Sequence, residues 1–303
     1  MRRVLCCALL AAIPSQARAD DPSGGDPGEP DVVALQPPAP GFVTLDHTDA
    51  TSHGGVEFSY LDPNASNFIN TTALRFEAHA EYVDHDSGIG GYAQMPISYF
   101  SETPGAGIAG ASATGIGDLE IGGLYLRDFS RYGVTVVGHG GVSIPTGSTS
   151  DLAHFANFAA AVSRVSDLYL SLPRSTAVRL GFSPIWRSGN VFARADFGLD
   201  IDAGASNNQR YDTALRGNLG FGVILDELVL TAEMTNAYDY TPSSTTQSTT
   251  MSAPSGSSWI NTAAFAARVR WSGVEPYLAL VLPLDADSRA IMDLAITVGI
   301  EVR

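Results

Sequence analysis

Residues 72–82 read TALRFEAHAEY. Leu74, Phe76, Ala78, Ala80 and Tyr82 alternate with Arg75, Glu77, His79 and Glu81. A strand sends successive side chains to opposite faces, so as a strand this segment has one apolar face and one ionisable face. Wound as a helix, the same residues would spread charge around the whole circumference. The period of two therefore selects a strand whose charged side must be hydrated or paired.

The same period recurs to the end of the chain. In residues 190–202, NVFARADFGLDID, Val191, Ala193, Ala195, Phe197, Leu199 and Ile201 oppose Arg194, Asp196, Asp200 and Asp202. In residues 263–271, Phe265, Ala267, Val269 and Trp271 oppose Arg268 and Arg270. The last segment sets Met292, Leu294, Ile296, Val298, Ile300 and Val302 against Asp293, Thr297, Gly299 and Glu301. Twelve segments of this kind are readable, near 54–60, 72–82, 91–100, 117–127, 132–145, 176–186, 190–201, 211–224, 227–236, 259–271, 274–284 and 290–302. Many have the ~9–11 residues that a tilted strand needs to cross a bilayer.

The connections form a second pattern. Gaps such as Arg187-Ser188-Gly189, Asp226-Glu227 and Ser272-Gly273 are short, while those near 61–71, 101–116, 146–175, 202–210 and 237–258 are long. Bacterial outer-membrane barrels alternate short periplasmic turns with longer outer loops. Read this way, both ends of the strand array lie on the periplasmic side. The aromatics Tyr60, Tyr82, Tyr92, Tyr99, Phe100, Tyr125, Trp186, Tyr211, Trp259 and Trp271 sit near segment ends, where interfacial girdles belong.

Composition agrees with this reading. Only 16% of the 303 residues are charged, and no apolar run after residue 20 reaches transmembrane-helix length. Arg2 and Arg3, the apolar stretch Val4–Ile13 and the Ala17-Arg18-Ala19 pattern predict an export signal over residues 1–19. Both cysteines, Cys6 and Cys7, fall inside it, so the mature chain has no thiol for a disulfide or metal site. The net charge is −15, and removing Arg2, Arg3 and Arg18 with the signal deepens it to −18. Such a chain is not expected to bind nucleic acid, since phosphate needs clustered positive charge. All 17 basic residues are arginine. Residues 20–53 begin with a Pro, Gly and Asp-rich tract and are read as a flexible lead-in.

These observations predict an all-β, antiparallel, up-and-down transmembrane β-barrel over residues 54–303, of about twelve strands. Lipid leaves no backbone group unpaired, so the strands must close into a ring, with apolar side chains facing lipid. Arg75, Glu77, His79, Glu81, Arg194, Asp196, Arg216, Glu233, Arg268, Arg270 and Asp293 then become lumen residues. Two uses are open to them. They can set selectivity by presenting a field to a solute, or brace the interior as ion pairs. Neither a metal nor a cofactor is expected. His47 and His53, near Asp46 and Asp49, read as part of a solvated polar stretch, and Asp84-His85-Asp86 as a solvated turn. No Gly-x-Ser-x-Gly nucleophile elbow is present, and no phosphate loop follows Gly138-His139-Gly140-Gly141.

Two local strings carry a resemblance, GIGDLEIGGLYL from Gly115 to Leu126 and GVSIPTGS from Gly141 to Ser148. Together they resemble the transporter-like outer-membrane family called "meta-pathway of phenol degradation". Gly115, Gly117 and Asp118 match its Gly-x-Gly-Asp strand, and Pro145, Thr146 and Gly147 match its Pro-Thr-Gly turn into an outer loop. The resemblance implies a channel for hydrophobic or aromatic compounds and carries over no individual functional residue. The chain departs from many such barrels in finishing on Val302 and Arg303 rather than an aromatic residue.

Residues 151–168, DLAHFANFAAAVSRVSDL, break the period of two. Leu152, Phe155, Phe158, Ala159 and Val162 recur at helical spacing, and Ser150 or Asp151 can cap the start. This predicts a helix in an outer loop, either at the pore mouth or packed on the rim. The expected partners are outer-membrane lipid, the outer-membrane assembly machinery and a small solute. The expected function is a channel or transporter, with a non-transporting surface barrel as the alternative.

Overall fold

The period-two segments form the strands that their alternation demands. The computed structural model describes residues 39–63, 71–103, 110–148, 150–171, 175–205, 213–239 and 259–303. Its strands are β1 (His53–Pro63), β2 (Thr71–Asp84), β3 (Ile89–Glu102), β4 (Ala111–Ile116), β5 (Leu119–Phe129), β6 (Val134–Ile144) and β7 (Ser175–Ser188). They continue with β8 (Val191–Ala205), β9 (Ala214–Leu225), β10 (Leu228–Asp239), β11 (Trp259–Val269), β12 (Val274–Pro283) and β13 (Met292–Val302). Helix α1 (Asp151–Ala161) lies between β6 and β7, and the one-and-a-half-turn α2 (Ala286–Ile291) between β12 and β13.

Every pairing is antiparallel, and β1 closes the ring by pairing with both β2 and β13, from Gly54↔Val302 to Pro63↔Met292. Closure pairs the wall strands around the ring, the condition lipid imposes; β4 pairs with β3 alone, and its other side is met at Ile116 by Ser148. β4 and β5 lie end to end along β3. Ile97–Glu102 of β3 pair with β4, and Ile89–Gln94 pair with β5. The two therefore fill one place in a twelve-place ring. β4 lies within the 101–116 connection, where the period of two predicts a loop. The break falls at Gly117-Asp118: the Gly117 N–H still reaches Pro96 O of β3, while the Asp118 N–H turns away to Leu170 O, both at 2.8 Å.

The ring is apolar outside and charged inside. On β2, Arg75, Glu77, His79 and Glu81 are buried, while Phe76 is 39% and Tyr82 68% exposed. Outward positions elsewhere hold residues such as Phe197, Phe221, Phe265, Leu278 and Val298. A water-soluble barrel would have the reverse distribution. No described helix is long and apolar enough to cross a membrane; the strands supply the crossing. Phe265→Arg, near the middle of β11, should lower folding stability by about 2–4 kcal/mol, read as a shifted urea midpoint for refolding into lipid vesicles.

Tight turns sit at one end. The turn between β7 and β8 is only Gly189-Asn190, with Gly189 at φ 57°, a left-handed conformation that glycine accepts without strain. Tyr82, Tyr125, Tyr132, Trp186 and Trp271 are exposed toward this end, and Tyr60, Tyr99 and Trp259 toward the other, giving two girdles. Tyr92 and Phe100, expected among them, point into the ring instead. Tyr211 lies outside the described residues.

Two expected lumen residues are placed elsewhere. Pairing between β1 and β13 slips at Asp62/Pro63, so that Leu294 faces Asp62 and Met292 faces Pro63. The extra residue, Asp293, is exposed, and Met292 is buried in its stead. A bulge reverses the alternation beyond it, which a strict period of two cannot foresee. Arg270 follows the last residue of β11 and is only half-buried, its backbone N–H on Glu227 O at 2.7 Å.

Candidate functional site

The interior faces of the strands leave a lumen, and two pieces of chain fill it. The first is residues 39–52, assigned by sequence to a flexible lead-in. They are ordered inside the ring, with Phe42, Val43 and Leu45 buried. Phe42 packs on Phe192 of β8 at 5.3 Å between ring centroids. Gly220 and Gly222 make the room. A Cβ at Gly220 would lie 2.5 Å from Phe42, and one at Gly222 2.1 Å from Phe192. Glu233 of β10 accepts the N–H groups of Val43 at 3.0 Å and Thr44 at 2.6 Å. Arg216 of β9 donates to both oxygens of Asp46, at 2.6 and 2.5 Å. Nor are His47 and His53 in a solvated stretch: both are buried.

The second piece is the loop after β6. Ser150 caps α1, accepting the N–H of Ala153 at 3.3 Å. The helix stops at Ala161, where Ser163 Oγ donates back to Ala160 O at 2.7 Å. A 3-10 run, Val165–Ser171, follows. The helix packs inside the ring, through its small residues rather than the Leu152 side. Leu152 is 50% exposed, whereas Ala156 and Ala160 are fully buried among Leu61, Phe100, Val281 and Met292. Small side chains let the helix axis approach the wall. At Gly115 a Cβ would sit 2.3 Å from Ala153 O.

The two strings singled out by resemblance meet here. Asp118 Oδ1 accepts the N–H of Gly147 at 2.8 Å, and Thr146 Oγ1 accepts that of Leu119 at 2.9 Å. Gly117 lets the 3-10 run come close, since a Cβ there would lie 2.6 Å from Leu170 O. Gly115, Gly117 and Asp118 thus clamp the loop that begins at Pro145, and turn it inward.

Arginine and carboxylate pairs tie the pieces together. Arg164, from the loop, donates to Val43 O and Asp167, to Leu45 O at 2.6 Å, and to Glu57 at 3.3 Å. Arg179 of β7 reaches Glu120, Asp200 at 3.2 Å and Ser166 O at 2.6 Å. Arg75 pairs with Glu77, and Arg194 with Asp196 at 2.6 Å. Arg268 pairs with Glu301, donating to Oε1 at 2.9 Å, and its guanidinium carbon lies 4.8 Å from the centre of the Tyr277 ring. Nine of the eleven expected lumen residues therefore face the interior. Seven of them are arginine or acid held by a neighbour of opposite charge or by backbone, the pairing that bracing requires. Two cavities among the described residues, one beside Phe100 and Ala159 and one beside Asp46 and His139, measure about 10 Å³ each, room for about one water molecule.

Sequence reasoning missed Asp46, Glu57, Glu120, Arg164, Asp167 and Arg179. Glu120 and Arg179 were findable, since each alternates with outward aliphatic residues on its strand. Asp46, Arg164 and Asp167 sit on segments with no period, and nothing local marks them.

No family model and no curated protein matches the chain. Solved structures do, at low identity. A crystallised outer membrane channel from Pseudomonas putida F1 superposes with a TM-score of 0.58 at 11% identity, covering 83% of this chain and 94% of that one. KdgM porin gives 0.47 at 10% identity over 82% and 98% of the two chains. The translocator domain of the autotransporter NalP from Neisseria meningitidis gives 0.45 at 12% identity over 86% and 90%. The fold is that of an outer-membrane barrel.

Proposed function

We propose that this chain is a bacterial outer-membrane channel for small solutes, and that the filled lumen is its closed form. One observation carries the reading. The wall is complete without the two pieces that fill it, since neither residues 39–52 nor the loop after β6 contributes a strand to the ring. Residues 39–52 are held by hydrogen bonds that involve side chains, and the loop by such bonds plus the backbone bonds of Asp118 to Leu170 and of Ser148 to Ile116, none of them part of the strand ladder. The export signal over residues 1–19, lipid around the apolar band and delivery by the assembly machinery belong to the same proposal. It assigns the chain no chemical reaction.

The solute class rests on two supports. Around α1, at the long-loop mouth, the lumen is apolar, with Leu61, Phe100, Val281 and Met292 buried together. The resemblance of Gly115–Leu126 and Gly141–Ser148 points the same way, to small hydrophobic or aromatic compounds. A surface barrel that passes nothing is the second reading, and the burial of residues 39–51 and of much of the loop after β6 within the ring favours it. Purified protein in a planar bilayer should show discrete, voltage-promoted current steps, and vesicles carrying it should swell in small solutes. Silence at every voltage, with no swelling, would leave the surface-barrel reading standing.

A further inference from the structure

Three histidines from different parts of the chain meet near the short-turn mouth. His47 comes from the inserted segment, His53 opens β1, and His79 points inward from β2. One nitrogen from each ring lies within 4.8 Å of the other two. We propose that His47, His53 and His79 bind a divalent first-row transition ion, for which zinc is the test probe.

The hydrogen bonds orient two of these rings as ligands. His53 Nδ1 lies 2.9 Å from Thr51 O. A carbonyl only accepts, so Nδ1 carries the proton and Nε2 holds a lone pair. His47 Nε2 lies 2.7 Å from Glu77 Oε1. Nε2–H donates to the carboxylate, leaving the Nδ1 lone pair as the ligand. Such outer partners, carbonyl or carboxylate, are what fix metal-binding imidazoles. His79 supplies the independent sign. It is 5% exposed, yet neither Nδ1 nor Nε2 has a hydrogen-bond partner. A buried imidazole with both nitrogens idle forgoes bonds it had in water. A metal ion gives one of them a strong bond.

Tetrahedral zinc with bonds of about 2.0–2.1 Å needs its nitrogens roughly 3.4 Å apart. The His47 ring now stacks on His79 at 3.6 Å between centroids, 18° from parallel, and would tilt to close the site. Imidazole donors without thiolate suit zinc, nickel, copper or cobalt and not magnesium or calcium. Glu81 stands beside the cluster in a second triad, with Asp49 and the shared His53. A bound ion would staple the inserted segment, through His47, to the wall strands β1 and β2. The binding site stands apart from the channel reading; only this consequence rests on it.

The test uses the exported chain, without a polyhistidine tag, stripped by chelator and titrated with zinc chloride in a calorimeter and with cobalt(II) in a spectrophotometer. The expected result is one ion per chain, with visible bands of tetrahedral cobalt. His53→Ala and His79→Ala should abolish both signals, while His85→Ala, in the exposed turn, leaves them unchanged. Heat-modifiable migration in gels verifies that each variant is a folded barrel. Zinc-edge absorption on the unaltered protein reads the ligands even if variants misfold, and should show imidazole scattering. Absence of saturable binding, a zinc spectrum without imidazole, or binding that survives His79→Ala overturns the proposal. Loss with Glu81→Gln but not with His79→Ala moves the ion to the second triad and overturns it equally.

Discussion

Removing residues 39–51 should turn a barrel that opens only under voltage into one that conducts steadily. The wall keeps its closure, because the β1 ladder to β2 and β13 starts at His53 and Gly54 and uses nothing before them. The lumen loses Phe42 and Leu45, and the space left has an apolar side, with Val137, Phe192 and Val229, and a charged side, with Glu233 and Arg216, that draws in water. Glu233 loses the N–H groups of Val43 and Thr44 but keeps the Thr231 hydroxyl at 2.7 Å. Arg216 loses Asp46 and keeps Asp200 at 3.1 Å. Each bereaved group costs about 1–3 kcal/mol while dry, and far less once water reaches it. The deleted form should therefore still migrate as a folded barrel in gels. In planar bilayers it should carry steady current where the intact chain shows only voltage-promoted steps. A deleted barrel that conducts no more than the intact one would mean that the loop after β6 seals the lumen alone.

The wall was legible in the sequence because lipid and water each impose a side on every strand residue. Alternation in residues 72–82 alone predicts which of Arg75, Phe76, Glu77 and Tyr82 face inward, and a slip of one residue would put charge into hydrocarbon. The alternation fails where its physical cause is interrupted. At Asp293 a bulge adds a residue, and at Gly117-Asp118 a strand breaks to hold a loop. The filling was not legible. Residues 39–52 have no period because they touch different strands at each step rather than one neighbour along a ladder. Their one trace was indirect. Gly220 and Gly222 fall on the inward face of β9, and inward glycines mark a place where something else must fit.

Arg164→Ala should be the most damaging single change in the lumen. Its guanidinium is 1% exposed and ties together Val43 O and Leu45 O of the inserted segment, Glu57 of β1 and Asp167 of its own loop. Truncation leaves two buried carboxylates short of their cation and two carbonyls without a donor. Breaking one partner out of a buried pair costs about 3–5 kcal/mol, and the urea midpoint for the folded barrel should fall accordingly. Arg164→Lys should recover little. One ammonium with three donors cannot span contacts that a planar fork with five N–H groups reaches at once. The change should also raise conductance, since one side chain holds both pieces of the filling. Combining it with removal of residues 39–51 discriminates this role from simple bracing. If Arg164 acts by pinning the segment, its cost in the shortened barrel should shrink, because two of its partners are already gone and water now reaches the others. An undiminished cost would instead make Arg164 a brace for Glu57 and Asp167 alone, and the two fillings would then be held independently.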